Sequence, residues 1–508
     1  MKRLSLIIAI LMLFFVVQGC VANVQSSKDK NPGDSVENGD NPTAEGENPE
    51  QSDNSQAGED DNDGDLEEGI GEEEPDKSKN IVFVSGDMLN VREEPDAQSE
   101  KVGHLLKGSV VKVLEEKTVG EGEEQDKWFY ISFGEGQQAI EGWISAEFTV
   151  ADREDLLGEE YKTLDFSPQA KIDEYPENPR VKVKGAYMTI YSASGGRLDT
   201  MIEMTKTTGL NAFVIDVKDD NGNMLFYTEA AEKFAPEANK LVPIKDIDAF
   251  MKKLKDNDIY AIARIVTFKD PIYTEKYPER SILDKRTGKA HMQQDGLRWA
   301  SAYDRQLWEY DVAVAKEAAK AGFNEIQFDY VRLPDSGGGK LDEVLDYRNT
   351  GNESKPQIIQ DFLKYAYKEL SPEKVYVSAD IYGLVPSVAD DMGLGQYWEA
   401  VSNVVDYVSP MMYPSHYANQ TYNLPVPDAY PYETIFNCTR DAVARNENVE
   451  TPAIIRPWIQ DFTANWVKGH IEYGEKEVRA QIKALEENGV DEFMLWNPNN
   501  RYSSDALK

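Results

Sequence analysis

Between residues 180 and 508 the chain repeats one pattern eight times: a short run of β-branched, aromatic and aliphatic residues, then a stretch with apolar residues at helical spacing. The runs are GAYMTIYS, NAFVIDVKDD, YAIARIVTF, EIQFDYVRLP, KVYVSADIYG, VVDYVSPMMY, AIIRPWIQDF and DEFMLWNPN. Helical stretches such as LDTMIEMTKTTG, YDVAVAKEAAKAG and EKEVRAQIKALEENG lie between them, most ending at Gly or Asn, where a helix C-cap is expected. Strand-like and helical periods in strict alternation call for a parallel sheet covered by helices, and eight repeats close it into a (β/α)8 TIM barrel of the α/β class. The last run lies so close to Lys508 that an eighth helix is truncated or missing. The preceding connector, residues 152–179, is expected to cover that gap through Leu156 to Tyr161.

One of these runs breaks its own rule. A parallel strand covered on both faces should be nearly all apolar, yet EIQFDYVRLP carries Asp329 just before it ends at Leu333-Pro334. In such barrels the residues at the C-terminal ends of the strands face one shared site, whereas those earlier in each strand fill the core. Reading each strand end in turn gives Tyr187 and Tyr191, then Asp216, Lys218 and Asp219, then Arg264, Asp329 and Arg332, and Asp380 and Tyr382. The last three strands add Tyr413 and His416, Trp458 and Asp461, and Trp496 and Asn497.

Carboxylates, aromatics and amides together suit sugars, because aromatic faces stack on pyranose rings while Asn, Arg and carboxylates bond the hydroxyls. No metal or cofactor is implied. The four histidines are scattered, no HExxH or paired His ligands occur, and GxSxG and GxxxxGKS are absent. The formal net charge of −38 argues against nucleic acid, whose phosphates need clustered Lys and Arg.

The first 151 residues read differently. Met1 to Cys20 carries Lys2 and Arg3, then an apolar core too short to span a bilayer comfortably, then Gly19-Cys20, the form of an export signal. Its end, VVQGC, resembles a bacterial lipobox, which implies cleavage before Cys20, a diacylglyceryl anchor on that cysteine, and a place on the outer face of the bacterial cytoplasmic membrane. The alternative is an ordinary cleaved signal in which Cys20 is incidental. The only other cysteine, Cys438, is expected to be a buried helix residue. Residues 21–80 are Asn, Asp, Glu, Gly, Ser and Pro with almost no aliphatics, so they are expected to form a disordered, self-repelling tether. Residues 81–151 hold short β-rich runs, and the order Leu89-Asn90-Val91-Arg92, Pro95, Leu106-Lys107-Gly108, Trp128, Gly142-Trp143-Ile144 resembles bacterial SH3 domains. That resemblance implies attachment to wall peptide or glycan, although Trp128 and Trp143 are also residues that so small a core would need.

QFDYVRLP, SADIYG, SPMMYPSHY, VIDVKDDNG and LWNPNNRY together resemble a bacterial family of glycosyl hydrolase domains of unknown function, over about Val183 to Tyr502. The family is related to barrel glycosidases in which an aspartate ending the fourth strand acts as nucleophile or stabiliser, and this implies that role for Asp329. Glycoside hydrolysis needs a second carboxyl as proton donor, and Asp380 is favoured over Asp461 and Asp216. Alternation puts Gln327, Asp329 and Val331 on one face, so Asp329 is expected to project into the mouth beside the loop of Arg332, where a nearby arginine would keep its pKa low. In chitinase-like barrels the fourth strand carries DGxDxDxE. Here Val331 stands at the position of the Glu, so any cleavage would use the aspartates. A structural ion pair of Asp329 with Arg264 or Arg332, and a turn role for Asp216 and Asp219, are the alternatives.

The resulting expectation is a lipid-anchored cell-surface glycoside hydrolase, acting on a wall or extracellular polysaccharide through an aspartate pair. Its substrate contacts are expected from Tyr187, Asp216, Lys218, Arg264, Arg332, Tyr413, His416, Trp458, Trp496 and Asn497. The alternative is a catalytically inactive glycan-binding envelope scaffold, and a deacetylase or lyase is a weaker third reading.

Overall fold

The computed structural model describes residues 81–508, apart from residues 87, 122–123, 135–139, 152, 157, 294 and 338. The expected signal, Cys20 and the tether of residues 21–80 lie outside the described residues.

Residues 81–150 form a curled antiparallel sheet of seven strands, Ile81–Val84, Met88–Arg92, Lys101–Leu106, Val110–Glu121, Glu124–Phe133, Ile140–Ser145 and Thr149–Val150. Period-two patterning sets its inside: Leu89 and Val91 of one strand, Phe129 and Ile131 of another, and Val84, Val111 and Ile144 close a small core. Trp128 and Trp143 are largely buried, and Trp143 meets Tyr130 edge-on at 5.4 Å.

The larger part is a closed parallel barrel. Its strands are β1 Lys184–Met188, β2 Ala212–Lys218, β3 Tyr260–Val266, β4 Glu325–Asp329, β5 Tyr376–Tyr382, β6 Tyr407–Met412, β7 Trp458–Gln460 and β8 Phe493–Trp496. Each pairs in parallel with the next, and β8 pairs with β1. Helices follow the first seven strands: α1 Arg197–Thr205, α2 Ile247–Lys255, α3 Arg305–Ala321, α4 Lys355–Leu370, α5 Trp398–Ser402, α6 Pro431–Asn446 and α7 Glu475–Glu486. The long ones start and stop where the sequence provides caps. Asp304 accepts from Gln306 N at the start of α3, Ser354 from Gln357 N at the start of α4, and Gly322 ends α3 in the left-handed region. Cys438 is buried in α6, as its surroundings in the sequence imply.

Among the described residues no α-helix follows β8. The C-terminal turn Ser504–Leu507 takes its place: Ala506 is buried, Gly209 N donates to Leu507 O at 2.8 Å, and Arg479 of α7 donates to Asp505 O. The connector therefore does not cover that gap. Tyr161, Leu164 and Phe166 pack on Tyr397 and Ala400 beside α5, and the Tyr161 hydroxyl reaches Asp391 at 3.1 Å. The shortness of α5 explains this position, since a helix of five residues leaves apolar surface for the connector to cover.

Inside the barrel, alternate side chains of each strand form layers. On β4 Glu325, Gln327 and Asp329 face inward, while Ile326 and Phe328 join the core beneath the helices. The bottom layer is ionic. Glu325 accepts from Arg456 Nη1 at 2.7 Å and from the Tyr260 hydroxyl at 3.2 Å, while Arg456 Nε donates to Glu492 at 2.8 Å. The Arg456 guanidinium lies 3.5 Å from the Tyr407 ring centroid. The middle layer is nearly apolar, with Val214, Ile262 and Met494 around Gln327 and Ser409. This filled interior fixes the strand ends rigidly. Arg456→Ala would leave Glu325 charged and unpaired in the floor, so it is expected to lower unfolding free energy by about 3–5 kcal/mol, read by urea denaturation.

Candidate active site

The top layer holds the carboxyl pair and its arginine. Register brings Gln327 of β4 beside Ser378 of β5 and Phe328 beside Ala379. Asp329 and Asp380 each follow one residue beyond that last pairing. They therefore project from the ends of neighbouring strands, whose backbones run about 4.8 Å apart. Asp329 is 5% exposed and Asp380 1%, so both carboxyls lie in a nearly dry mouth.

Arg264, from β3, organises the mouth. It is fully buried, and its three nitrogens are divided between two carboxylates: Nε and Nη2 donate to Asp329 Oδ2 at 2.9 and 2.5 Å, and Nη1 donates to Asp216 Oδ1 at 2.6 Å. The other oxygen of Asp329 accepts from the backbone N–H of Tyr330 at 2.5 Å. That bond exists because Tyr330 turns into the left-handed region, φ 50°, a conformation that costs a tyrosine about 1 kcal/mol or more. Asp329 thus sits in the mouth as the carboxylate of an ion pair. Of the two arginines the sequence offered, its partner is Arg264; the Arg332 guanidinium lies over the rings of Trp299 and Tyr330 and donates to Leu333 O at 3.0 Å.

Among the described residues Asp380 makes no ion pair, although the Arg264 charge reaches it and favours its ionised form. The indole N–H of Trp458 donates to its Oδ1 at 2.7 Å. Burial pushes its pKa well above the ordinary carboxylate range, the charge of Asp329 pushes the same way, and the Trp458 hydrogen bond opposes. The two neighbouring carboxyls thus have opposite surroundings, Asp329 against the Arg264 guanidinium and Asp380 against the Trp458 indole with its pKa raised. Asp216 is raised to about 7 by burial, with Arg264 and the Tyr187 hydroxyl, which donates to its Oδ2 at 2.6 Å, holding it down. Tyr413 faces the pair, and burial, Asp380 and Asp329 all push its hydroxyl pKa well up.

Aromatic rings line the rest. Tyr187 stacks on Trp496 at 4.1 Å, Trp458 meets Trp496 edge-on at 5.5 Å, and Tyr413 lies 6.3 Å from Trp496. The Arg264 guanidinium lies 5.6 Å from the centroids of both Tyr187 and Trp496. His416 is on the outer rim, exposed, 5.3 Å from Tyr413. Tyr382 is half-buried at the end of β5, and Tyr191 points to solvent.

Four strand-end candidates point elsewhere. After Arg264 pairs with Asp216, the β2–β3 register skips Val217 so that Ile265 pairs with Lys218. That bulge turns Lys218 out of the barrel into the helix layer, where it is fully buried between Asp270 at 2.7 Å and Asp311 at 2.6 Å. Asp461 accepts at both oxygens from Ser503, N–H and hydroxyl each at 2.7 Å, so it ties down the C-terminal segment instead of facing Asp329. Asn497 donates to the backbone oxygens of Asp461 and Arg501 and accepts from Asn499 N, which uses its amide within the same turn. Asp219 likewise holds its own turn by accepting from Asn221 N and Asn223 N.

Several mouth residues escaped the strand-end reading because they sit in loops. Trp299 and Lys269 frame Tyr330, with Lys269 Nζ 4.4 Å from its ring centroid and 2.8 Å from Asp295. Phe462 and Trp466 follow β7. The aromatic spacing in QDFTANW was the available signal for that last pair.

A closed parallel barrel whose C-terminal mouth holds a buried carboxyl pair within an aromatic wall is a glycoside hydrolase-like (β/α)8 barrel. The chain belongs to the family described as "Putative glycosyl hydrolase domain", which matches residues 185–502, well over half of it. Residues 87–150 match the bacterial SH3 domain. No curated protein matches the chain. Among solved structures, a hypothetical protein from Ruminiclostridium thermocellum is 33% identical over 38% of this chain and 96% of its own, with a TM-score of 0.34. The PgaB (BpsB) glycoside hydrolase domain from Bordetella bronchiseptica is 13% identical, covering 65% of this chain and 99% of its own, TM-score 0.45. The spore cortex-lytic enzyme SleL of Bacillus megaterium is 10% identical, covering 65% and 74%, TM-score 0.39.

If Asp380 is the proton donor, activity falls as pH rises through its pKa. Trp458→Phe removes the one hydrogen bond that favours ionised Asp380, so the alkaline limb of kcat/KM is expected to move to higher pH. A limb that stays in place or moves to lower pH would separate Asp380 from the titration.

Proposed function

We propose that this protein is an exported, lipid-anchored glycoside hydrolase that cuts a wall or extracellular polysaccharide outside the membrane. The observation that carries the reading is the Asp329–Asp380 pair. One carboxyl accepts from the Arg264 guanidinium and the Tyr330 N–H, and burial, then the charge of that neighbour, pushes the pKa of the other well up. Glycosidic cleavage needs such a division of labour, one group giving a proton to the leaving oxygen while the other meets the developing positive charge at the anomeric carbon. Asp380 takes the first role and Asp329 the second. Tyr187, Trp496 and Tyr413 supply ring faces, and Asp216 and Arg264 polar contacts. Cys20 carries the anchor, the acidic tether gives reach, and the SH3 domain holds wall peptide or glycan.

One observation favours the second reading, a glycan-binding scaffold without turnover. Both oxygens of Asp329 already have donors in a mouth that is nearly closed. Release of reducing ends from purified wall and capsular glycans decides between the two. Asp329→Asn and Asp380→Asn are each expected to lower the rate by at least about a hundredfold while glycan binding persists. No release by the parent protein from any glycan it binds would leave the scaffold.

A further inference from the structure

After β7 the chain leaves the mouth as Asp461-Phe462-Thr463-Ala464-Asn465-Trp466. Trp466 is 37% exposed, and Phe462 beneath it is half-buried. The two rings are nearly parallel, 6.0 Å apart at 20°, and the exposed His416 meets both edge-on at 6.4 Å. A single exposed tryptophan needs no explanation, but this one ends a continuous path. Phe462 contacts Tyr413 at 6.1 Å, Tyr413 contacts Trp496, and Trp496 stacks on Tyr187 above Asp216 and Arg264. The aromatic wall of the catalytic mouth therefore runs outward to solvent without a break.

The loop that carries Trp466 is fixed. Gln460 Nε2 donates to Phe462 O at 3.0 Å, Tyr473 N to Thr463 Oγ1 at 3.0 Å, and Val467 N to Ala464 O at 2.9 Å, and Ala464 is fully buried. Tyr473 is itself held by its hydroxyl donating to Asp428 O at 2.9 Å. Ring faces held open in this way bind without a large ordering cost, because the loop has already lost its freedom. Tryptophan, phenylalanine and histidine offer flat apolar faces and one polar ring, which match the apolar face and hydroxyl edge of a pyranose.

We infer that Trp466, Phe462 and His416 form an outer sugar subsite, so that the protein takes its glycan as an extended chain lying from the carboxyl pair out over Trp466, not as a terminal sugar. This rests on the glycoside hydrolase reading of the mouth, and it is tested by binding so that the two can fail separately. The full chain, its Asp380→Asn variant and Trp466→Ala are titrated calorimetrically with disaccharides and octasaccharides, size-fractionated from peptidoglycan glycan strands and from capsular polysaccharide. The parent is expected to bind an octasaccharide more tightly than the matching disaccharide, by about five- to thirtyfold. Trp466→Ala is expected to erase that preference and Trp466→Tyr to keep most of it, with melting temperatures unchanged. A length preference that survives in Trp466→Ala, or none in the parent, overturns the inference. Chain-length preference without release of reducing ends would instead sink the hydrolase reading and leave the subsite standing.

Discussion

Everything at the barrel mouth depends on one buried guanidinium shared between two carboxylates. Arg264 cannot lose its proton, and in a dry site it must be paired, so its presence obliges Asp216 and Asp329 to stand where they do. The same guanidinium holds Asp329 beside Asp380, whose pKa is raised first by burial and then by the charge of Asp329. The ionic floor Glu325–Arg456–Glu492 repeats the device at the lower end, with the apolar middle layer separating the two. The barrel is thus a stiff cylinder whose charged layers lie at its two ends.

Much of this was legible because two periods are hard to confuse. Eight alternations of strand and helix gave the barrel, and strand-end positions gave Asp216, Arg264, Asp329, Asp380, Tyr187, Trp458 and Trp496, all of which the structure brings together. Lys218 was misread because a strict period of two places it beside Asp216, and a bulge of one residue reverses its face. Asp461 and Asn497 were misread because the segment that uses them, residues 499–503, lies beyond the last strand and has no pattern of its own. The choice between Arg264 and Arg332 as partner of Asp329 could not be made from spacing. It depends on inter-strand register, which puts Arg264 on the strand next to Asp329, and on the left-handed turn at Tyr330, which sends the following loop towards Trp299.

The same logic explains what loops contribute. Rigid strands carry the carboxyls and the guanidinium, whose positions must hold to fractions of an ångström, whereas the connections after β4, β6 and β7 carry Tyr330, His416, Phe462 and Trp466. The acidic chain as a whole, with a formal net charge of −38, leaves the fully buried Arg264 as a cation committed to its own carboxylates.

A protonated Asp380 beside an arginine-paired Asp329 is the central claim of the proposed function, and infrared difference spectroscopy at neutral pH reads it directly. Subtracting the spectrum of Asp380→Asn from that of the parent protein should isolate the C=O stretch of a protonated carboxyl, insensitive to added salt. Carboxylate bands in the Asp380 difference, with no protonated carboxyl, would show two anions side by side and contradict the assignment of donor and acceptor roles to this pair.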